Sequence, residues 1–87
     1  MVRIIDNTGK SPEEAIVIVE AKNTREGVRA EYDYLTTEFG ERGKAWQLEL
    51  QQLVNRDGRF FDVMKVLLAG GKVITLYFDI TDFFGKH

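Results

Sequence analysis

The sequence predicts an α+β fold: one long helix packed on a mainly antiparallel sheet, in the order β-(β)-α-β-β-β, ending in a three-strand meander. Three observations predict it. Across 45–80, β-branched and aromatic residues dominate runs that glycine-bearing turns separate. Before them, Val28, Tyr32, Leu35 and Phe39 recur at the i, i+4, i+7, i+11 spacing of one helical face. Earlier still, Ile16-Val17-Ile18-Val19 is apolar at consecutive positions, as in a strand with an interior place in a sheet and both faces covered.

The meander reads as strands 45–54, 59–68 and 72–80. Successive residues of a strand point to opposite faces. The even positions Trp46, Leu48 and Leu50, then Met64, Val66 and Leu68, then Ile74, Leu76, Phe78 and Ile80 therefore form one core-facing layer. A one-residue slip would turn a strand inside out, so the turns must keep that parity. A two-residue Asp57-Gly58 turn would set Leu50 opposite Lys65, whereas a three-residue loop, Arg56-Asp57-Gly58, sets Leu50 opposite Met64 and Leu48 opposite Val66. The longer loop is expected, with Gly58 left-handed. Ala69-Gly70-Gly71 in turn places Val66 opposite Ile74 and Met64 opposite Leu76, with Gly71 left-handed.

The odd face is polar on the first strand (Gln47, Glu49, Gln51) and apolar on the other two (Phe61, Val63, Leu67, Val73, Tyr77). Exposed patches of that kind mark interfaces. Either a second copy of the chain covers them, or the segment 2–5 or the Phe83-Phe84 tail folds back over them.

Val2-Arg3-Ile4-Ile5 suits a short strand and Asp6-Asn7-Thr8-Gly9 a reversal. Ser11-Pro12-Glu13-Glu14 carries a cap and an early proline, which suggests one helical turn before the strand 16–19. Asn23 is the N-cap of the long helix, with Glu26 in the capping-box position, and Gly40 ends it near Phe39. Thr81 starts a terminal turn that docks Phe83 and Phe84 onto the domain. This ending, from Tyr77-Phe78-Asp79-Ile80 through Thr81-Asp82-Phe83-Phe84-Gly85, resembles that of short uncharacterised bacterial proteins. The resemblance covers mainly the last third of the chain and implies no activity.

At 87 residues the chain fits one domain, 1–87, small enough for association to help its stability. A hydrophobic share of 44% beside 30% charged residues argues for a folded chain rather than a disordered one. With no cysteine there is no disulfide framework, thiolate zinc site or cysteine nucleophile. No apolar run reaches the roughly 20 residues that span a bilayer, and the amino terminus lacks the apolar core of a signal peptide, so a cytoplasmic location is expected. The net charge of -2 gives no general attraction to nucleic acid or to an anionic membrane.

Glu20-Ala21-Lys22, closing an apolar strand, resembles the Glu-x-Lys half of the metal-dependent nucleases named for their Asp and Glu-x-Lys residues. That resemblance implies a divalent cation held by Glu20 and an upstream acid, Asp6, with Lys22 orienting the attacking water. Against it, the chain has little room for that core's preceding helix, and the meander lies in the wrong place. Thr8-Gly9-Lys10-Ser11 is similar to the end of a phosphate-binding loop, but Ile4 stands where the first glycine is required and Pro12 lacks a backbone donor. His87, the only histidine, is terminal, so neither a catalytic triad nor a histidine metal cluster has a scaffold. Asp62 and Asp79 fall on opposite faces of neighbouring strands, which suits solvated or capping groups. Of the aromatics that could stack on bases, Trp46 and Tyr32 belong to the core and only Tyr34 lacks that explanation.

The expectation is a non-catalytic binding or assembly module with no metal and no cofactor, homodimeric through Phe61, Val63, Leu67, Val73 and Tyr77, with an unknown protein as a further possible partner. The alternative is a divalent-metal-dependent nuclease using Asp6, Glu20 and Lys22.

Overall fold

In the computed structural model, which describes residues 2–85, the elements are β1 (Arg3–Ile5), a 3-10 turn (Pro12–Glu14), β2 (Ile16–Val19), α1 (Thr24–Phe39), β3 (Trp46–Arg56), β4 (Arg59–Leu68) and β5 (Val73–Asp79). The strands form one sheet in the order β1-β2-β5-β4-β3. All neighbours are antiparallel except β2 and β5, which run parallel, so the last strand lies in the middle. The fold is α+β with a C-terminal meander, as the residue pattern requires, and α1 covers one face.

Local signals set the helix ends. Asn23 Oδ1 accepts from the Glu26 amide at 2.9 Å, while Glu26 Oε1 reaches back past the cap and accepts from the Lys22 amide at 3.1 Å, so two donors at the helix entrance are satisfied. At the other end Gly40 leaves the helix with φ 110°, and its N–H donates to Thr36 O at 2.9 Å. The buried stripe is rotated from the expected one: Gly27, Ala30, Glu31 and Leu35 are buried, while Val28, Tyr32 and Phe39 flank it half-buried. On this rotated face Phe83 packs against Gly27 and Glu31 lies buried.

The β3–β4 connection differs from the expected three-residue loop. It is a two-residue Asp57-Gly58 turn closing on Arg56 and Arg59. Both central residues are left-handed (φ 53° and 80°), as a type I′ turn demands, and Asp-Gly is among its preferred pairs. The consequent shift sets Leu50 opposite Lys65, and an irregularity between Leu48 and Leu50 restores Leu48 opposite Val66. Glu49 is thus the extra residue of a bulge. Trp46 and Leu48 keep their inward place, whereas Leu50 turns to the uncovered face and is 48% exposed; Gln51 and Leu53 come to the helix side. At the second turn Val66 pairs with Ile74 and Met64 with Leu76, with Gly71 left-handed at φ 92°, as expected.

Between helix and sheet lie Ile16, Ile18, Ala30, Leu35, Trp46, Met64, Val66, Leu76, Phe78 and Phe83, all buried. Apolar burial is worth roughly 1.5–3 kcal/mol per large side chain, so this layer holds the domain together. After β5 the chain turns back, the Phe83 and Phe84 amides donating to Ile80 O at 3.1 and 2.9 Å. Phe83 enters the core, while Phe84 stacks on Phe60 at 4.1 Å.

Candidate functional site

Among the described residues, the face of the sheet away from α1 is met by the 3-10 turn, whose Pro12 and Glu13 border Phe61 at one end, and the rest of it has no covering layer. Following the ladder, Val73 stands beside Leu67 and Gln47; Thr75 beside Lys65 and Leu50; Tyr77 beside Val63 and Gln52. Val73 is 51% exposed, while Val63, Leu67 and Tyr77 are half-buried by their neighbours in the sheet. At the β1 side the surface continues through Val17 and Ile5, the latter 51% exposed. Val17 and Val19 of β2 are therefore half-buried rather than covered on both sides.

Of the five odd-face residues singled out in the sequence, Phe61 alone is closed off. It is 1% exposed, beneath the Arg59 guanidinium, which lies 5.2 Å from its ring centre. Pro12 and Glu13 line an open depression of about 140 Å3 with Arg56, Asp57, Arg59 and Phe61, and Glu13 Oε2 accepts from Arg56 at 2.9 Å. Neither internal cover expected for the rest is realised: residues 3–5 form edge strand β1, and Phe83 packs on the helix side.

A second feature escaped sequence reading. Glu31 of α1 is fully buried, and no donor reaches either carboxyl oxygen. Beside it stands Asp62 of β4, 5% exposed, whose Oδ2 accepts from Gln51 Nε2 at 2.7 Å; Gln51 Oε1 accepts from Tyr32 Oη at 3.3 Å. Burial first, then the adjacent Asp62 carboxyl, pushes Glu31 up to about 10. Two ionised carboxylates lack a donor between them, so Glu31 at neutral pH keeps its proton and offers it to Asp62. Asp62 is therefore not the solvated group expected. Asp79 is also buried, but as a cap: Thr81 donates to its Oδ1 through backbone N (3.0 Å) and Oγ1 (2.6 Å), and Arg59 pairs with Oδ2. Burial alone would raise its carboxyl; these donors outweigh it and hold Asp79 below the ordinary carboxylate value.

The residues of the nuclease reading do not converge. Asp6 follows β1 at the level of Ile16, and Glu20 follows β2 beyond the Arg3–Val19 pair. Four strand positions, roughly 13 Å, separate the two ends. Asp6 Oδ1 accepts from Tyr34 Oη at 2.8 Å, and Glu20 pairs with Arg3. Lys22 lies in a groove of about 670 Å3 between β1 and α1, with Val2, Ile4 and Arg29 among its other walls. No group of three or more potential metal-ligating side chains occurs among the described residues. In the phosphate-loop-like segment, Gly9 spends its backbone on the fold, donating to Glu14 O and accepting from Tyr77 N, each at 2.7 Å. Tyr34 is engaged too: its ring meets Phe78 edge-on, and burial together with the bond to Asp6 raises its hydroxyl pKa. Tyr32 stacks on Trp46, and Arg42 lies over both rings. His87 lies outside the described residues.

Fold and surface together define an open-faced two-layer α+β sandwich, one sheet face closed by its helix and the other open from Val73 to Tyr77. No protein-family model matches the chain, and neither a curated protein nor a solved structure is significantly similar to it. No helix among the described residues is long and apolar enough to cross a membrane.

Proposed function

We propose that this protein is a cytoplasmic binding or assembly module that works as a homodimer, two copies meeting through their open sheet faces. The observation that carries the reading is the patch of Val73, Leu67, Val63, Tyr77 and Leu50 opposite a fully packed core. Leaving such a surface in water is costly to solubility, and a partner removes it. A second copy fits because the three lateral rows from Val73 to Tyr77 contain one charged side chain, Lys65. Two such faces related by a two-fold axis present apolar surface to apolar surface, and displacing the axis from Lys65 leaves both ammonium groups at the rim.

Sedimentation tests this. The wild type is expected to run as more than a monomer at micromolar concentrations, and Val63→Glu to lose that association while keeping its circular dichroism spectrum. A monomeric wild type, or a Val63→Glu protein of unchanged mass, overturns the reading.

A further inference from the structure

The sheet ends at β3, and the described residues place no strand beyond it. A two-residue hairpin closes on a pair that exchanges both backbone bonds, here Arg56 with Arg59, and such pairs alternate along an antiparallel ladder. Val54 and Gln52 therefore direct their N–H and C=O groups into β4. Asn55, Leu53 and Gln51 direct theirs outward.

Exposed edges are ordinarily guarded by lysine, proline or a bulge. Here the bulge at Glu49 and the charge of Arg56 bracket the edge but leave Leu50-Gln51-Gln52-Leu53-Val54-Asn55 without a charge, proline or glycine. Uncharged β-prone segments of this length pair readily with copies of themselves. At the centre of the outward triplet stands Leu53, 53% exposed, more than any other large apolar side chain among the described residues.

We infer that two copies of the chain join β3 to β3 in antiparallel register about a two-fold axis at Leu53. Leu53 then faces Leu53 of the second copy, and Gln51 faces Asn55. Every outward N–H and C=O from Gln51 to Asn55 gains a partner, and no like charges meet within the paired segment. The helix-side contact between the two leucines removes the most exposed apolar side chain from water. This contact uses the rim of the sheet and not its open face, so it is independent of the face-to-face reading. Where both interfaces form, dimers are joined into larger assemblies.

The absence of cysteine makes the register testable by single-cysteine variants. Residues exchanging both backbone bonds across an antiparallel pair have Cα atoms about 5.5 Å apart, inside the disulfide range of about 4.4–6.8 Å. Leu53→Cys is expected to give a disulfide-linked dimer under mild oxidation. Asn55→Cys is expected not to, because the register puts it roughly 13 Å from its own copy. Leu53→Lys, at a position 53% exposed, is expected to keep the wild-type circular dichroism spectrum and to halve the mass of the species this edge joins. Absent cross-linking by Leu53→Cys, equal cross-linking by Asn55→Cys, or Leu53→Lys sedimenting as wild type overturns the edge contact. Val63→Glu reads the open face alone, so the two interfaces fail separately.

Discussion

The ring of Phe83 lies directly against Gly27: a Cβ built on this glycine would stand 2.5 Å from two of the ring carbons. The helix accepts an intrinsically poor helix former in its first turns because nothing larger lets the C-terminal turn close.

Phe83→Ala is expected to cost about 3–5 kcal/mol, a large part of the roughly 5–15 kcal/mol that stabilises a domain. Gly27→Ala should cost about 1–3 kcal/mol through overpacking, despite the better helix propensity of alanine. In the Phe83→Ala background the sign reverses and Gly27→Ala stabilises. Denaturant unfolding of the four proteins checks this, and additive effects would break the proposed contact.

Stability should fall with rising pH on the alkaline side. Glu31 binds its proton more tightly folded (about 10) than unfolded (4.5), so between those values the native state holds the extra proton. Each pH unit within that window removes up to about 1.4 kcal/mol. Asp79 acts in the opposite sense: its lowered folded value gives stability that is present above its ordinary 3.8 and lost as pH falls through the folded value. Maximum stability is therefore expected on the acid side of neutrality. Glu31→Gln should be more stable than wild type at pH 8 and flatten the alkaline limb in thermal melts across pH. An unchanged slope would show that Glu31 is ionised.

Deleting Glu49 should be tolerated. Leu48 already pairs with Val66 and Leu50 with Lys65, so removing the residue between them leaves a regular ladder with Trp46 and Leu48 still inward. Loss of folding, read by near-ultraviolet dichroism of Trp46, would show instead that the twist of the bulge is required.

The β-branched and aromatic runs between glycine-bearing turns made the meander legible, and strand parity then placed Met64, Val66 and Leu68 on one face and Phe61, Val63 and Leu67 on the other. Asn23 and Gly40 likewise announced the helix ends. A bulge does not interrupt that alternation visibly: Leu48 and Leu50 share a parity in the sequence but not a face, since the residue between them is absorbed sideways. Glu31 stayed hidden because an acid on an amphipathic helix is ordinarily solvated; burial first and Asp62 second favour the protonated form here, and both depend on tertiary packing. The open face was legible as a surplus of apolar residues that one helix cannot cover. That the 3-10 turn comes to border Phe61, with Glu13 beside Arg56, joins segments far apart in the sequence, which no local pattern encodes.

The parallel pairing of β2 with β5 also imposes an order of events. Strand β2 ends at Val19, and its parallel neighbour in the sheet begins only at Val73. During synthesis Ile16 and Ile18 emerge long before Phe78, the residue beside which Ile16 comes to rest. The β3–β4 hairpin can close locally, whereas the β2–β5 pairing joins stretches far apart in the chain, and pairing across such a separation is slow. A chain cut after residue 69 should protect hairpin amides from hydrogen exchange but not those of Ile16 to Val19; protection there would mean that β2 docks without β5. Until β5 is made, the β2 edge that it will occupy has no strand beside it, an apolar edge of the kind that exposes incomplete chains to association.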